Sequence, residues 1–129
     1  MIRVLAIDDE EEVAELIKLQ LEAAGGFVVH IETDSTQSLQ AARDFGPDVI
    51  LLDIMMPKYD GSEVAAQFKT DAEFKDTPII FLTALVTQQE TRNGSIRGSK
   101  RTYLPKPIDV TELVASIHAA LPTYKQQAV

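Results

Sequence analysis

Val49-Ile50-Leu51-Leu52-Asp53 is the stretch on which the fold turns. Its apolar run has no polar break, is too short for an ordinary helix, and ends on an acid. A strand with one wet face alternates apolar and polar residues, whereas a strand covered by helices on both faces is apolar throughout. Residues 4–7 and 79–82 repeat the unbroken pattern, and residues 27–31 and 102–104 are weaker strands placed nearer the sheet edges.

Helical patterns lie between these runs. Val13, Leu16, Ile17, Leu21 and Ala24 make an apolar stripe that Gly25-Gly26 stops. Ser35 is expected to cap a second helix carrying Leu39, Ala42 and Phe45, ended by Gly46-Pro47. A third helix follows Asp60-Gly61 with Val64, Ala65 and Phe68 inward, and a last one starts near Asp109 and runs through Leu113, Ile117 and Ala120 to Pro122. Residues 87–100 occupy a helix's place in the alternation, but Ile96 is their only large apolar residue after the opening turn, and Asn93-Gly94 and Gly98 disfavour helix. A short or mobile element is expected there. Alternating β and α units with right-handed crossovers predict an α/β fold: a three-layer αβα sandwich around a five-stranded parallel sheet. The domain is expected over 1–122, with 123–129 as a C-terminal tail.

Composition narrows the function. The 129 residues include no cysteine, which removes disulfides, cysteine-held zinc and thiol nucleophiles. The formal net charge is −8, from 20 acids against 12 bases, so direct nucleic-acid binding and attraction to anionic lipid are not expected, and Lys100-Arg101 is too small a basic cluster to reverse that. The apolar run near the N-terminus is too short for a signal peptide, and no stretch approaches the ~20 apolar residues that span a bilayer, so a cytoplasmic protein without membrane insertion is expected.

In such sheets a site forms at the carboxyl ends of the strands. Reading just past those ends gives Asp8 and Asp9, then Asp53, then Thr83, then Lys106. Carboxylates drawn together resist ionisation, and a hard divalent cation relieves the conflict by taking their oxygens as ligands. Lys106 adds positive charge, leaving an ionised aspartate as a nucleophile toward phosphorus. Phosphoryl transfer needs mainly positioning and neutralisation of the phosphoryl oxygens, which this inventory supplies. Each residue also has an ordinary reading. Asp8 to Glu12 suit the first turn of a helix, Asp53 suits a loop cap, Thr83 suits a strand, Lys106 suits a solvated loop and Tyr103 a half-buried strand position. Their joint placement at four strand ends favours the chemical reading.

The Asp8-Asp9 pair and Asp53-Ile54-Met55-Met56-Pro57-Lys58-Tyr59-Asp60-Gly61, similar to the pattern D-x-x-M-P-x-x-D-G, together with Thr83-Ala84 and Lys106-Pro107, resemble the response-regulator receiver domain of two-component signalling, from Ile2 to about Leu121. The resemblance implies the flavodoxin-like strand order 2-1-3-4-5. It implies Asp53 as phosphoacceptor, with Thr83 and Lys106 completing the catalytic set. It implies Mg2+ on Asp9, Asp53 and the Met55 backbone carbonyl, with Asp8 acting largely through water. Thr83 and Tyr103 would form a switch toward the surface of the fourth helix, fifth strand and fifth helix. Met55, Ala84 and Leu85 would flank the phosphate, and a cis peptide is implied before Pro107. The partners implied are a sensor histidine kinase or phosphotransfer protein and a downstream effector, with the chain a monomer or weak dimer and a regulatory domain rather than a turnover enzyme. The basic Lys100-Arg101-Thr102 departs from the acidic residues often found before the aromatic.

Three other readings compete with this one. A magnesium-dependent, aspartyl-phosphate phosphatase-like enzyme usually places nucleophile and acid/base two residues apart after the first strand, where this chain has Asp9, Glu10 and Glu11. An FMN binder needs a hydroxyl-rich loop at that point. A non-phosphorylated interaction module on the same fold would have lost an acid, the threonine or the lysine.

Overall fold

The computed structural model describes residues 1–84 and 102–122. The expectations for Leu85, for residues 87–100, for Lys100-Arg101 and for the tail 123–129 therefore lie outside the described residues. The strands are β1 (Ile2–Ile7), β2 (Phe27–Glu32), β3 (Val49–Asp53), β4 (Ile79–Thr83) and β5 (Thr102–Pro105). The helices are α1 (Glu11–Ala24), α2 (Ser38–Phe45), α3 (Gly61–Lys69) and, as numbered here, α4 (Val110–Ala120), with a 3-10 turn at Ser35–Gln37.

All strand pairs are parallel and the order is β2-β1-β3-β4-β5, with the two weaker strands at the edges. The unbroken apolar runs follow from burial on both faces. Successive strand side chains point to opposite sides. Val4, Ala6, Val49 and Leu51 accordingly join Ile17 and Leu21 of α1 and Leu113 and Ile117 of α4 in one core layer. Leu5, Ile7, Ile50 and Leu52 join Ala42 of α2 and Val64, Ala65 and Phe68 of α3 in the other. Each large side chain so enclosed contributes about 1.5–3 kcal/mol relative to exposure.

Helix ends follow local chemistry. Asp60 accepts from the Glu63 N–H at 3.0 Å while Glu63 accepts from the Asp60 N–H, a reciprocal capping box. Asp109 caps α4 by accepting from the Thr111 and Glu112 N–H groups. Gly46 ends α2 at φ 70, a left-handed conformation that a side chain would strain. Expectations are corrected at three residues. Leu16, placed in the inward stripe, is 53% exposed, because it lies roughly 100° around the helix from buried Ile17. Ala24, placed in the same stripe, is exposed at the end of α1. Ser35 does not cap α2. Asp34 caps the 3-10 turn instead, and the Ser35 hydroxyl turns inward.

The β2 edge of the sheet has its own cover. On β2, the Val29 N–H donates to Glu22 Oε2 at 3.0 Å, and Lys18 Nζ donates to the Val29 carbonyl at 2.8 Å. Lys18 and Glu22 also pair with each other at 3.1 Å. Among the described residues no helix is long and apolar enough to cross a membrane.

Candidate functional site

Strand register assembles the site. Ile7 lies opposite Leu52, Asp53 opposite Leu82, and Thr83 opposite Pro105, so the residues just past β1, β4 and β5 meet Asp53 at one end of the sheet. The Ile54 N–H donates to the Leu82 carbonyl at 3.1 Å, and the Lys106 N–H donates to the Thr83 carbonyl at 3.0 Å. These bonds carry the sheet's order to the residues that emerge from it.

Lys106 Nζ reaches Asp8 Oδ2 at 2.8 Å, Asp53 Oδ1 at 3.3 Å and Glu10 Oε1 at 3.5 Å. Asp8 is 0% exposed and Asp53 3% exposed, while Glu10 lies at the rim. Asp8 Oδ1 also accepts the Glu10 N–H at 2.9 Å. Burial first, then the charge of Asp8, push the Asp53 carboxyl up to about 6, against the opposing pull of Lys106. Burial pulls the Lys106 ammonium down, but the hydrogen bond and charge of Asp8, followed by those of Asp53, outweigh it and hold it above its ordinary value.

The excess of negative charge decides what fits here. Asp8, Glu10 and Asp53 each place a carboxylate oxygen so that all lie within 4.8 Å of one another. One ammonium faces three carboxylates, two of them buried, so Asp53 holds its charge at a cost. An all-oxygen set with few protein donors and access to water suits magnesium. The residues present fit that ion.

Gly61 shapes the loop after Asp53. A Cβ on Gly61 would stand 2.6 Å from the Asp53 carbonyl oxygen and 2.7 Å from Ile54 Cα, and the Gly61 N–H donates to the Ile54 carbonyl at 2.8 Å. Only a residue without a side chain closes the loop this tightly.

The other expected residues fall as follows. Thr83 is buried at the end of β4, and Ala84 beyond it is exposed. Met55 is 60% exposed and its N–H donates to Asp53 Oδ1 at 3.4 Å. Tyr103 is half-buried and stacks on Phe81 with ring centroids 5.2 Å apart. Asp9 stands apart from the three-carboxylate group. It is exposed and lines a groove with Asp34, Ser35, Met56 and Lys58. The Lys106-Pro107 peptide is cis, as the resemblance implied. Glu10 is the residue that the sequence reading missed. Its signal was adjacency to Asp8-Asp9, masked by the ordinary role of acids in a first helical turn.

Comparison with known proteins agrees with this geometry. A family model described as the response regulator receiver domain matches residues 4–118. The DNA-binding dual master transcriptional regulator RpaA of Synechocystis is 37% identical over 121 residues, covering 94% of this chain and 49% of that protein. The response regulator MprA of Mycobacterium leprae is 37% identical over 119 residues, covering 92% of this chain and 50% of that protein. The chain thus spans about half the length of the curated relatives it matches. Among solved structures, the chemotaxis protein CheY4 of Vibrio cholerae superimposes with a TM-score of 0.78 at 28% identity, covering 94% of this chain and 99% of that one. The chain therefore belongs to the response regulator receiver domain family of two-component signalling.

Proposed function

We propose that this chain accepts a phosphoryl group on Asp53 from a histidine kinase or phosphotransfer protein, in a magnesium-dependent reaction. The observation that carries the reading is the meeting of buried Asp8 and Asp53 with Lys106 at one end of the sheet. A carboxylate oxygen of Asp53 attacks the donor's phosphorus. An O–P bond forms as the P–N bond to the donor imidazole breaks, and the bonding pair returns to the ring nitrogen. Lys106 is placed to take one phosphoryl oxygen, and the Thr83 hydroxyl with nearby backbone N–H groups to take another. Asp8, Asp9, Asp53 and the Met55 carbonyl would hold Mg2+, with Glu10 at the rim of the same group. When bound, the ion cancels charge on the carboxylates and on the transferring group.

Phosphorylation then biases a two-state equilibrium, because the added charge is satisfied only when Thr83 turns toward it and Tyr103 follows. The domain regulates an effector rather than turning over a substrate. Met55 and Leu85 are apolar and cannot orient an attacking water, so the acyl phosphate is lost slowly. The chain acts in the cytoplasm as a monomer or weak dimer. At a net charge of −8 it is not itself a nucleic-acid binder. The DNA binding in the name of the Synechocystis relative belongs to a protein about twice as long.

Incubation with acetyl phosphate and magnesium, read by intact mass, tests the acceptor. Wild-type protein gains one phosphoryl group and Asp53→Asn gains none. Persistent addition in the variant refutes Asp53. Calorimetry with magnesium chloride that registers no binding, together with spectra indifferent to beryllofluoride, would remove the reading altogether.

A further inference from the structure

The loop between β3 and α3 runs from Ile54 to Asp60 and carries Met55, whose carbonyl belongs to the proposed magnesium set. It is closed at its neck by the Gly61 N–H to Ile54 carbonyl bond and anchored by the buried side chain of Met56. Its tip has a third anchor from a different part of the chain. The Ser35 hydroxyl donates to the Pro57 carbonyl at 3.0 Å and accepts from the Tyr59 N–H at 3.2 Å. Those two groups flank Lys58, which at φ 68 is the only non-glycine residue with positive φ among the described residues. A lysine held in that region needs its surroundings to keep it there.

Ser35 is itself fixed. It is 4% exposed, and its own carbonyl accepts the hydroxyl of fully buried Ser38 at 2.8 Å. Asp34 beside it accepts from the Thr36 N–H at 3.0 Å and faces Lys58 Nζ at 3.9 Å. The corner after β2 is therefore a rigid bracket, and a single hydroxyl joins it to both sides of the strained turn.

We propose that Ser35 is a positioning residue of the phosphoacceptor site, clamping the turn at Lys58 so that the Met55 carbonyl and Asp53 are presented together to the cation. The inference rests on the proposed magnesium-dependent function and names a residue that touches neither ion nor phosphate. Without the hydroxyl, the loop samples conformations in which the Met55 carbonyl is turned away. Apparent affinity then falls in proportion to the competent fraction. Loss of about one net hydrogen bond shifts that equilibrium roughly fivefold, which sets the upper limit of the weakening.

The test compares wild type, Ser35→Ala and Ile117→Val. The last is a core substitution under the opposite face of the sheet and controls for general loss of stability. Amide exchange of Tyr59 without metal reads the clamp, and calorimetry with magnesium chloride reads the site. In Ser35→Ala, Tyr59 exchange quickens and the magnesium dissociation constant rises by up to about fivefold, whereas Ile117→Val changes neither. Unchanged Tyr59 exchange in Ser35→Ala would overturn the clamp. Faster exchange with unchanged magnesium affinity would overturn the positioning role, as would equal weakening in Ile117→Val. Failure of the wild type to bind magnesium would instead remove the proposed function and this role with it. That result is told apart because Tyr59 exchange still registers the Ser35 bond.

Discussion

Replacing Asp53 by asparagine should stabilise the metal-free protein. In the folded chain the Asp53 carboxyl stands at about 6 rather than 3.8, chiefly through burial and then through the charge of Asp8. Each pKa unit is worth 1.36 kcal/mol, so holding the carboxylate ionised at pH 7 costs about 3 kcal/mol. Asparagine keeps the shape and discards the charge, while Asp8 and Glu10 continue to face Lys106. A gain of about 1–3 kcal/mol is expected, because the lost Asp53 to Lys106 contact offsets part of the relief. At roughly 4 °C per kcal/mol for a domain of this size, the midpoint rises by roughly 4–12 °C. The sign with pH follows from proton counting. Between about 4 and 6 the folded state binds more protons at this group than the unfolded state, so wild-type stability falls as pH rises through that window. The variant lacks this fall, and its advantage opens between pH 4 and pH 7. Urea unfolding in EDTA at a series of pH values measures the gap. Saturating magnesium should narrow it by stabilising the wild type. An asparagine variant no more stable than wild type at pH 7, or a gap independent of pH, would refute the account.

Three further outcomes are expected. Lys106→Met leaves fully buried Asp8 without its ammonium and should destabilise by about 3 kcal/mol in urea without metal, recovering part of the loss when Asp53→Asn is added. Gly61→Ala forces a methyl against the Asp53 and Ile54 backbone and should cost about 1–3 kcal/mol while slowing acetyl phosphate labelling, and a change within 0.5 kcal/mol would show that the loop yields easily. Phosphorylated wild type should lose its phosphate slowly by mass, and Met55→Asn with Leu85→Gln should speed the loss on the order of tenfold, short of the ~10² that a positioned general base supplies.

What the sequence made legible was set by the range of the interactions involved. The unbroken runs at 4–7, 49–52 and 79–82 announce two covered faces, because a wet face would force polar residues into them. Strand order is different in kind. Helical periodicity says nothing of which strand neighbours which, and the order came from family resemblance alone. Asp8, Asp53, Thr83 and Lys106 were readable because strand ends in a parallel sheet share one end. Glu10 was not, since three acids in a first helical turn have an adequate local explanation. Asp8 and Asp9 part company for a geometric reason: successive side chains leaving a strand point opposite ways, one inward and one to solvent. Ser35 was misread because serine before an apolar helical pattern ordinarily caps it, while its real partner lies 22 residues on and leaves no local trace.

The arrangement at Val29 limits how copies of this domain can associate. A bare border strand is a template on which a second chain lays its own backbone, extending the ribbon without regard to sequence. Here the outward peptide groups of Val29 are already engaged by Lys18 and Glu22, so an incoming strand must first break an ion pair and two bonds to gain two. Strand addition along the β2 border is thereby discouraged, and any pairing of copies through their sheets is directed away from it.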